Sequence, residues 1–242
     1  MSAITTFPGP AAPGELASIP SSSLAHGDHR IVFPGVGWET YESLSRAQGE
    51  GNHVRLAYDG KDLEIMTTGY VHEILKELVG PIIKAVLCWR SIPHFGSGEA
   101  TLNAVNARRG LQADLSYCFE PDKVRMTREA LARGSMDLAD YPKPDLAVEI
   151  DISPSQIDRP SIYAALEVAE VWRITRDRTV IIEPLQPDGS YSPAGVSQFL
   201  GITVEEIRGW LTAEDLGQQE AWYRRLQQWA MGLGQPAGGA GA

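Results

Sequence analysis

The stretch PDLAVEID at residues 144–151, continued without a break by SPSQIDRPSIYAALEVAEVW, decides how this chain is read. Leu146, Val148 and Ile150 alternate with Asp145, Ala147, Glu149 and Asp151, the period of a buried strand that ends at the Ser153-Pro154 break. Three carboxylates therefore share one side. Like charges on one strand face repel and lose hydration, so a fold tolerates them only where a cation or strong donors lie opposite. The strand is expected to carry a site as well as a core.

Forward from it, residues 159–168 read as a short helix, followed by strands at 170–175 and 179–184 that meet at a polar turn around Arg176 and Asp177. Thr203 with Glu206 three residues on forms a capping box for a helix ending near Leu211, and Trp222, Leu226 and Trp229 mark one face of a terminal helix. Backward from it, a polar connection at 120–143 leads to strand candidates at 111–119 and 94–105, the latter interrupted around Gly96 and Gly98. Before these, Ile74, Leu75, Leu78, Val79, Ile82, Ile83, Val86 and Leu87 recur every three or four residues, which predicts a long helix that Pro81 kinks rather than ends. Segments 54–58 and 62–66, joined at Asp59-Gly60, read as a hairpin preceded by a short amphipathic helix at 38–48. From residue 71 the order is helix, three strands, helix, strand. That order predicts an α/β layered fold with an N-terminal hairpin and C-terminal helices.

Composition narrows the function classes. With 21 Lys+Arg against 31 Asp+Glu in 242 residues, the net charge of -10 weakens non-specific attraction to polyanions and anionic membranes. Any nucleic-acid contact must then be local. Cys88 and Cys118 make no disulfide framework and read as small apolar side chains in a reducing cytoplasm. The longest apolar segment, 74–89, is cut by Lys76, Glu77 and Lys84, so no membrane span is expected, and nothing in the first residues resembles an export signal. Residues 1–30 and 232–242 read as disordered tails around a domain at 31–212 and a helix at 213–231. Phosphate-loop, Cys/His metal-binding and GxSxG patterns are missing, which weakens nucleotide-hydrolase, zinc-finger and serine-hydrolase readings.

Asp114, in QADLSYCF, and Glu149 fall on adjacent strand candidates. Carboxylates on neighbouring strands can converge on one hard divalent cation, which prefers oxygen ligands and can activate a water against a phosphodiester. Asp114 alone reads equally as a solvated strand-end acid. Glu149 is harder to dismiss, because it sits in an apolar run where an unpaired charge is costly.

The strings RLAYDGKDLEIMTTGYVHEILKELVG, GLQADLSYCF, KPDLAVEIDISPS and DRPSIYAALEVAEVWRI, in that order, resemble the Uma-two type putative restriction endonuclease family, a branch of the PD-(D/E)XK nuclease superfamily. The resemblance implies a restriction-endonuclease-like core and DNA cleavage that depends on Mg or Mn. It also implies Asp114 and Glu149 as the catalytic, metal-holding acids. Three positions depart from the pattern. Ala113 replaces a Pro, Asp151 stands where the superfamily has its Lys, and Glu167 replaces a Gly at the expected end of the 159–168 helix. In this family the basic residue comes from that helix, which makes Arg159 the expected phosphate partner. Its guanidinium stays protonated and cannot act as a general base.

Around the pair, His72 and Glu73 at the start of the long helix are expected to border the site, although Glu73 is equally explained by the helix dipole. Asp145 reads as a third ligand or as the polar start of its strand. Asp151 reads as a further ligand or as a cap for the turn at Ser153, and Glu64 as an exposed strand acid. Arg108-Arg109, Arg125 with Arg128, and the arginines of 173–178 are local basic spots that need no role beyond the surface. The expected partner is DNA, with a homodimer as the possible assembly. The rival reading is a non-catalytic module for protein or nucleic-acid interaction that kept the nuclease fold.

Overall fold

A computed structural model describes residues 27–48 and 54–234. Within it the chain builds two five-stranded sheets and six α-helices, a mixed α/β architecture. The expected terminal tails lie almost wholly outside the described residues, but the chain is already extended at β1, His29–Phe33. This strand precedes the hairpin that was expected to open the domain.

The first sheet has the order β1-β3-β2-β6-β5, all antiparallel, where β2 is Val54–Tyr58, β3 Leu63–Thr67, β5 Thr101–Ala104 and β6 Arg109–Gln112. The β2–β3 hairpin turns at Asp59-Gly60, where Gly60 takes a positive φ of 101° and the Asp59 carboxylate accepts the amides of Lys61 and Asp62. Helix α1, Trp38–Gln48, covers one face of this sheet through Trp38 and Tyr41, which pack with Leu56, Tyr58 and Leu63.

The second sheet has the order β10-β9-β8-β7-β4, with β4 Phe95–Gly96, β7 Leu115–Cys118, β8 Leu146–Asp151, β9 Glu170–Thr175 and β10 Val180–Pro184. Only β8 and β9 are parallel, joined by the crossover helix α4, Arg159–Ala165. Leu146, Val148, Ile150, Trp172, Ile174 and Ile182 face the main core against α2, Tyr70–Trp89, α5, Val204–Leu211, and α6, Gln219–Gly232. Helix α2 runs unbroken through Pro81, and α5 begins at the capping box expected of Thr203 and Glu206. Among the described residues no helix is long and apolar enough to cross a membrane.

Two expectations are corrected. The run read as one strand at 111–119 breaks at Ala113-Asp114 and passes from the first sheet into the second, and the run at 94–105 likewise divides between β4 and β5. Alternation continues through the break at 113–114, so the pattern alone does not register that change of sheet, whereas the division of 94–105 follows the interruption expected around Gly96 and Gly98. The connection at 120–143 contains a helix, α3, Pro121–Ala132, started by Pro121 in its first turn and buried only at Thr127 and Ala130. The outcome that matters is the junction: the second sheet turns the face bearing Ala147, Glu149 and Asp151 toward the first sheet and α4.

Candidate active site at the junction of the sheets

Asp114 stands at the point where the chain changes sheets, fully buried. The β7–β8 ladder ends at Leu115 opposite Val148, so Asp114 and Glu149 are the next residues along the two strands. The Asp114 amide donates to the Val148 carbonyl at 3.1 Å, and its carboxylate accepts the Ile150 amide at 2.7 Å. The other carboxylate oxygen meets His72 Nε2 at 2.8 Å and Arg55 at 3.1 Å. Burial works to raise the Asp114 pKa, but the hydrogen bond from His72 and the charge of Arg55 overcome it and hold the group below the ordinary carboxylate range.

His72 lies in the first turn of α2 with no exposed surface, and its other nitrogen meets Asp28 at 3.2 Å. Burial alone would depress the imidazole, yet the two flanking carboxylates push its pKa up to about 9. It is therefore an imidazolium at neutral pH, donating both N–H groups. Asp28 also accepts the amide of Gly69, the residue that caps α2, at 3.0 Å, so the open N-terminus of the helix is closed by a side chain from the residue just before β1.

Glu149 receives Arg159 at 2.7 Å and the Tyr163 hydroxyl on the same oxygen. Its other oxygen takes no hydrogen bond among the described residues. Burial raises its pKa, Arg159 opposes that rise, and the nearby charge of Asp114 adds to it; the net direction is upward. Arg159 is the first residue of α4, directly after Asp158, whose carboxylate caps the helix by accepting the Ser161 amide. That cap aims Arg159 back at the sheet.

Glu64 is not the exposed acid expected from its strand. It is 1% exposed and gathers Arg30 at 2.5 Å, Arg159 at 3.4 Å, the Ser155 hydroxyl and the Gln156 amide. Asp151, at the end of β8, lies 3.6 Å from Arg30 and lines a cavity of about 40 Å³ with Glu149, Arg159 and Arg173. Asp145 sits at the other end of the strand. It binds the amides of Phe119 and Glu120 and the ammonium of Lys123, anchoring the start of α3 rather than meeting the Asp114–Glu149 pair. Glu73 pairs with Lys76 at 2.6 Å and is linked to the cluster through Lys76, Glu99 and Arg55.

The surface arginines divide similarly. Arg109 is held by the carbonyls of Asp59 and Ser161, Arg125 by Asp122 and Glu129, and Arg173 by a two-point contact with Glu183. At Glu167 the expected Gly position does take a left-handed φ of 56°. There the amides of Glu167 and Val168 bond back to Ala164 and Tyr163, a Schellman ending built without glycine.

A family model described as "Uma2: Putative restriction endonuclease" matches residues 38–213. The chain belongs to the Uma2 family. This family is part of the PD-(D/E)XK-like nuclease superfamily. No curated protein matches the chain. The Uma2 segment contains Asp114, Glu149, Arg159, His72, Arg55 and Glu64, whereas Arg30 of β1 and Asp28 just before that strand reach the cluster from ahead of the matched residues.

Sequence reasoning left out Asp28, Arg30 and Arg55 altogether. For Arg55 the signal was available: a charge inside the apolar strand VRLAY makes the same argument as Glu149 inside LAVEID.

Proposed function

We propose that this Uma2 protein is a metal-dependent DNA endonuclease that hydrolyses phosphodiester bonds with Mg or Mn held by Asp114 and Glu149. The observation that carries the reading is the meeting of these two acids, next to one another across β7 and β8 at the sheet junction, with Arg159 2.7 Å from Glu149. Among the described residues no three His, Cys, Asp or Glu side chains are arranged to hold a metal ion. Magnesium, however, is commonly held by one or two carboxylates, completed by waters and substrate phosphate. The donor set fits that pattern. One oxygen of Glu149 takes no protein donor, and one oxygen of Asp114 accepts only the Ile150 amide, so lone pairs remain on both groups.

In this mechanism His72, charged at neutral pH, fixes the Asp114 carboxylate and takes no proton from water. Arg159, held between Glu149 and Glu64, neutralises the charge that develops on the scissile phosphate. Tyr163 donates to the same Glu149 oxygen and steadies the carboxylate beside it. Asp114 and Glu149 would hold the divalent cation, which when bound would supply Lewis acidity that lowers the pKa of water. The DNA substrate and a cytoplasmic location belong to the same reading.

A second reading, the non-catalytic module, is supported by the compensation already built into the cluster. Asp114 is matched by Arg55 and His72, Glu149 by Arg159, and Glu64 by Arg30, so the acids are stable without any added cation. The experiment that separates the two is incubation of supercoiled plasmid with the purified chain and Mg or Mn, against a chelated control. Nicking that needs the metal supports the enzyme, and an intact plasmid under every divalent metal supports the module.

A further inference from the structure

Glu64 is held by two arginines of the cluster and by the segment before α4, without touching Asp114 or Glu149. One oxygen lies between two guanidinium groups, those of Arg30 and Arg159. The other takes the Ser155 hydroxyl and the Gln156 amide, both at 3.0 Å, and so ties down the segment that leads to the N-cap of α4. Arg159 is consequently gripped at two points: one terminal nitrogen on Glu149 at 2.7 Å and the other on Glu64 at 3.4 Å. A guanidinium is planar and rigid, so two acids on its two terminal nitrogens fix both its direction and its plane.

Arg30 completes the arrangement. Its side chain is 5% exposed, and it comes from β1, outside the Uma2 segment. Glu64 faces Arg159 across the gap between the sheets. An acid in that position, without a second cation, would be a buried and only partly compensated charge.

We propose that Glu64, itself held by Arg30, is a positioning residue for the reaction: it sets the guanidinium of Arg159 against Glu149 and acts on phosphodiester cleavage only through Arg159. The cleavage part rests on the endonuclease reading; the orientation of Arg159 does not.

Both parts are tested on the full chain with Glu64→Gln, which preserves volume and removes the charge, and with Glu64→Asp, which restores the charge one methylene short. The first readout is nitrogen-15 NMR of the Arg159 side chain, assigned by loss of the signal in Arg159→Lys. In the wild type the terminal nitrogens rotate slowly and their protons are protected from water. Glu64→Gln is expected to remove that signature and Glu64→Asp to restore part of it.

The second readout is cleavage kinetics. Glu64→Gln is expected to lower kcat about 10- to 100-fold with KM little changed, the scale on which misplacing a reacting group acts. In an Arg159→Gln background the same substitution is expected to add nothing. An unchanged Arg159 signal in folded Glu64→Gln overturns the proposal, as does a full, independent loss of rate from Glu64→Gln in the Arg159→Gln background. If the wild type cuts no DNA with any divalent metal, the endonuclease reading fails, and the NMR comparison alone then upholds or overturns the positioning of Arg159.

Discussion

Two buried glutamates on neighbouring strands, Glu149 of β8 and Glu170 of β9, solve the same problem in opposite ways. Burial raises the pKa of both. Glu170, on the core face, is held by neutral donors alone: the Trp172 indole at 2.6 Å, the Ser197 hydroxyl at 2.7 Å and the Gln198 amide at 2.8 Å. Each of these is fixed in the fold, and together they fasten the loop before α5 to the sheet. Glu149, on the junction face, is held by a cation on a long side chain and by a tyrosine hydroxyl. Neutral donors fixed in place make an anchor. A charged pair is one for which a substrate phosphate or a metal ion can compete, which is what the endonuclease reading requires of Glu149 and Arg159.

The contrast breaks most visibly at Arg159. Arg159→Ala leaves Glu149 and Glu64 buried with one fewer cation, and removing one partner of a buried ion pair costs about 3–5 kcal/mol. Chemical denaturation should show a loss of that order, and adding Glu149→Gln should recover part of it. Full stability in Arg159→Ala would mean that the pair is not carrying buried charge.

The pH dependence of stability is expected to come next in size. The folded pKa of His72, about 9, lies above its unfolded value. Its contribution is therefore fully present below about pH 6.5, the ordinary histidine value, and is lost as the pH rises through 9. Melting temperatures of chelated protein should fall across that window, and His72→Gln should flatten the fall.

On the anchoring side the effects shrink. Ser197→Ala removes one of three neutral hydrogen bonds from Glu170, expected to cost about 1 kcal/mol with cleavage unchanged. A loss of cleavage in that variant would erase the distinction between anchor and site. Glu167→Gly relieves the left-handed residue at the end of α4 and should stabilise the protein by at most about 1 kcal/mol. An unchanged denaturation midpoint would show that the Glu167 backbone is not strained.

Much of this was legible because local patterns report local structure. The three-and-four spacing of α2, the Asp59-Gly60 turn, the capping box of α5 and the alternation of β8 each carry their own signal. The sheet junction was not legible, since strand period is blind to which neighbour a strand pairs with and 111–119 keeps its alternation through the change of sheet. The same limit hid the cluster. Glu64 looked like a solvent-facing charge of a hairpin and Arg55 drew no reading, and only the packing of one sheet on the other turns both inward. Arg30 sits on, and Asp28 just before, a five-residue edge strand whose alternate residues face solvent, too short a pattern to stand out from the stretch before it. Asp145 shows the converse. It shares a strand side with Glu149, but four residues of extended chain, roughly 13 Å, carry it to another part of the molecule.

The central claim, that Asp114 and Glu149 form a metal-dependent phosphodiesterase site, is tested most directly by plasmid cleavage with wild type and Glu149→Gln side by side in Mg or Mn. Glu149→Gln keeps the shape of the side chain and removes the charge a divalent cation needs. The account predicts metal-dependent nicking by the wild type and a loss of at least about 100-fold in the variant, which still folds. Equal cleavage by both proteins, or no cleavage by the wild type together with a more stable variant, would contradict it.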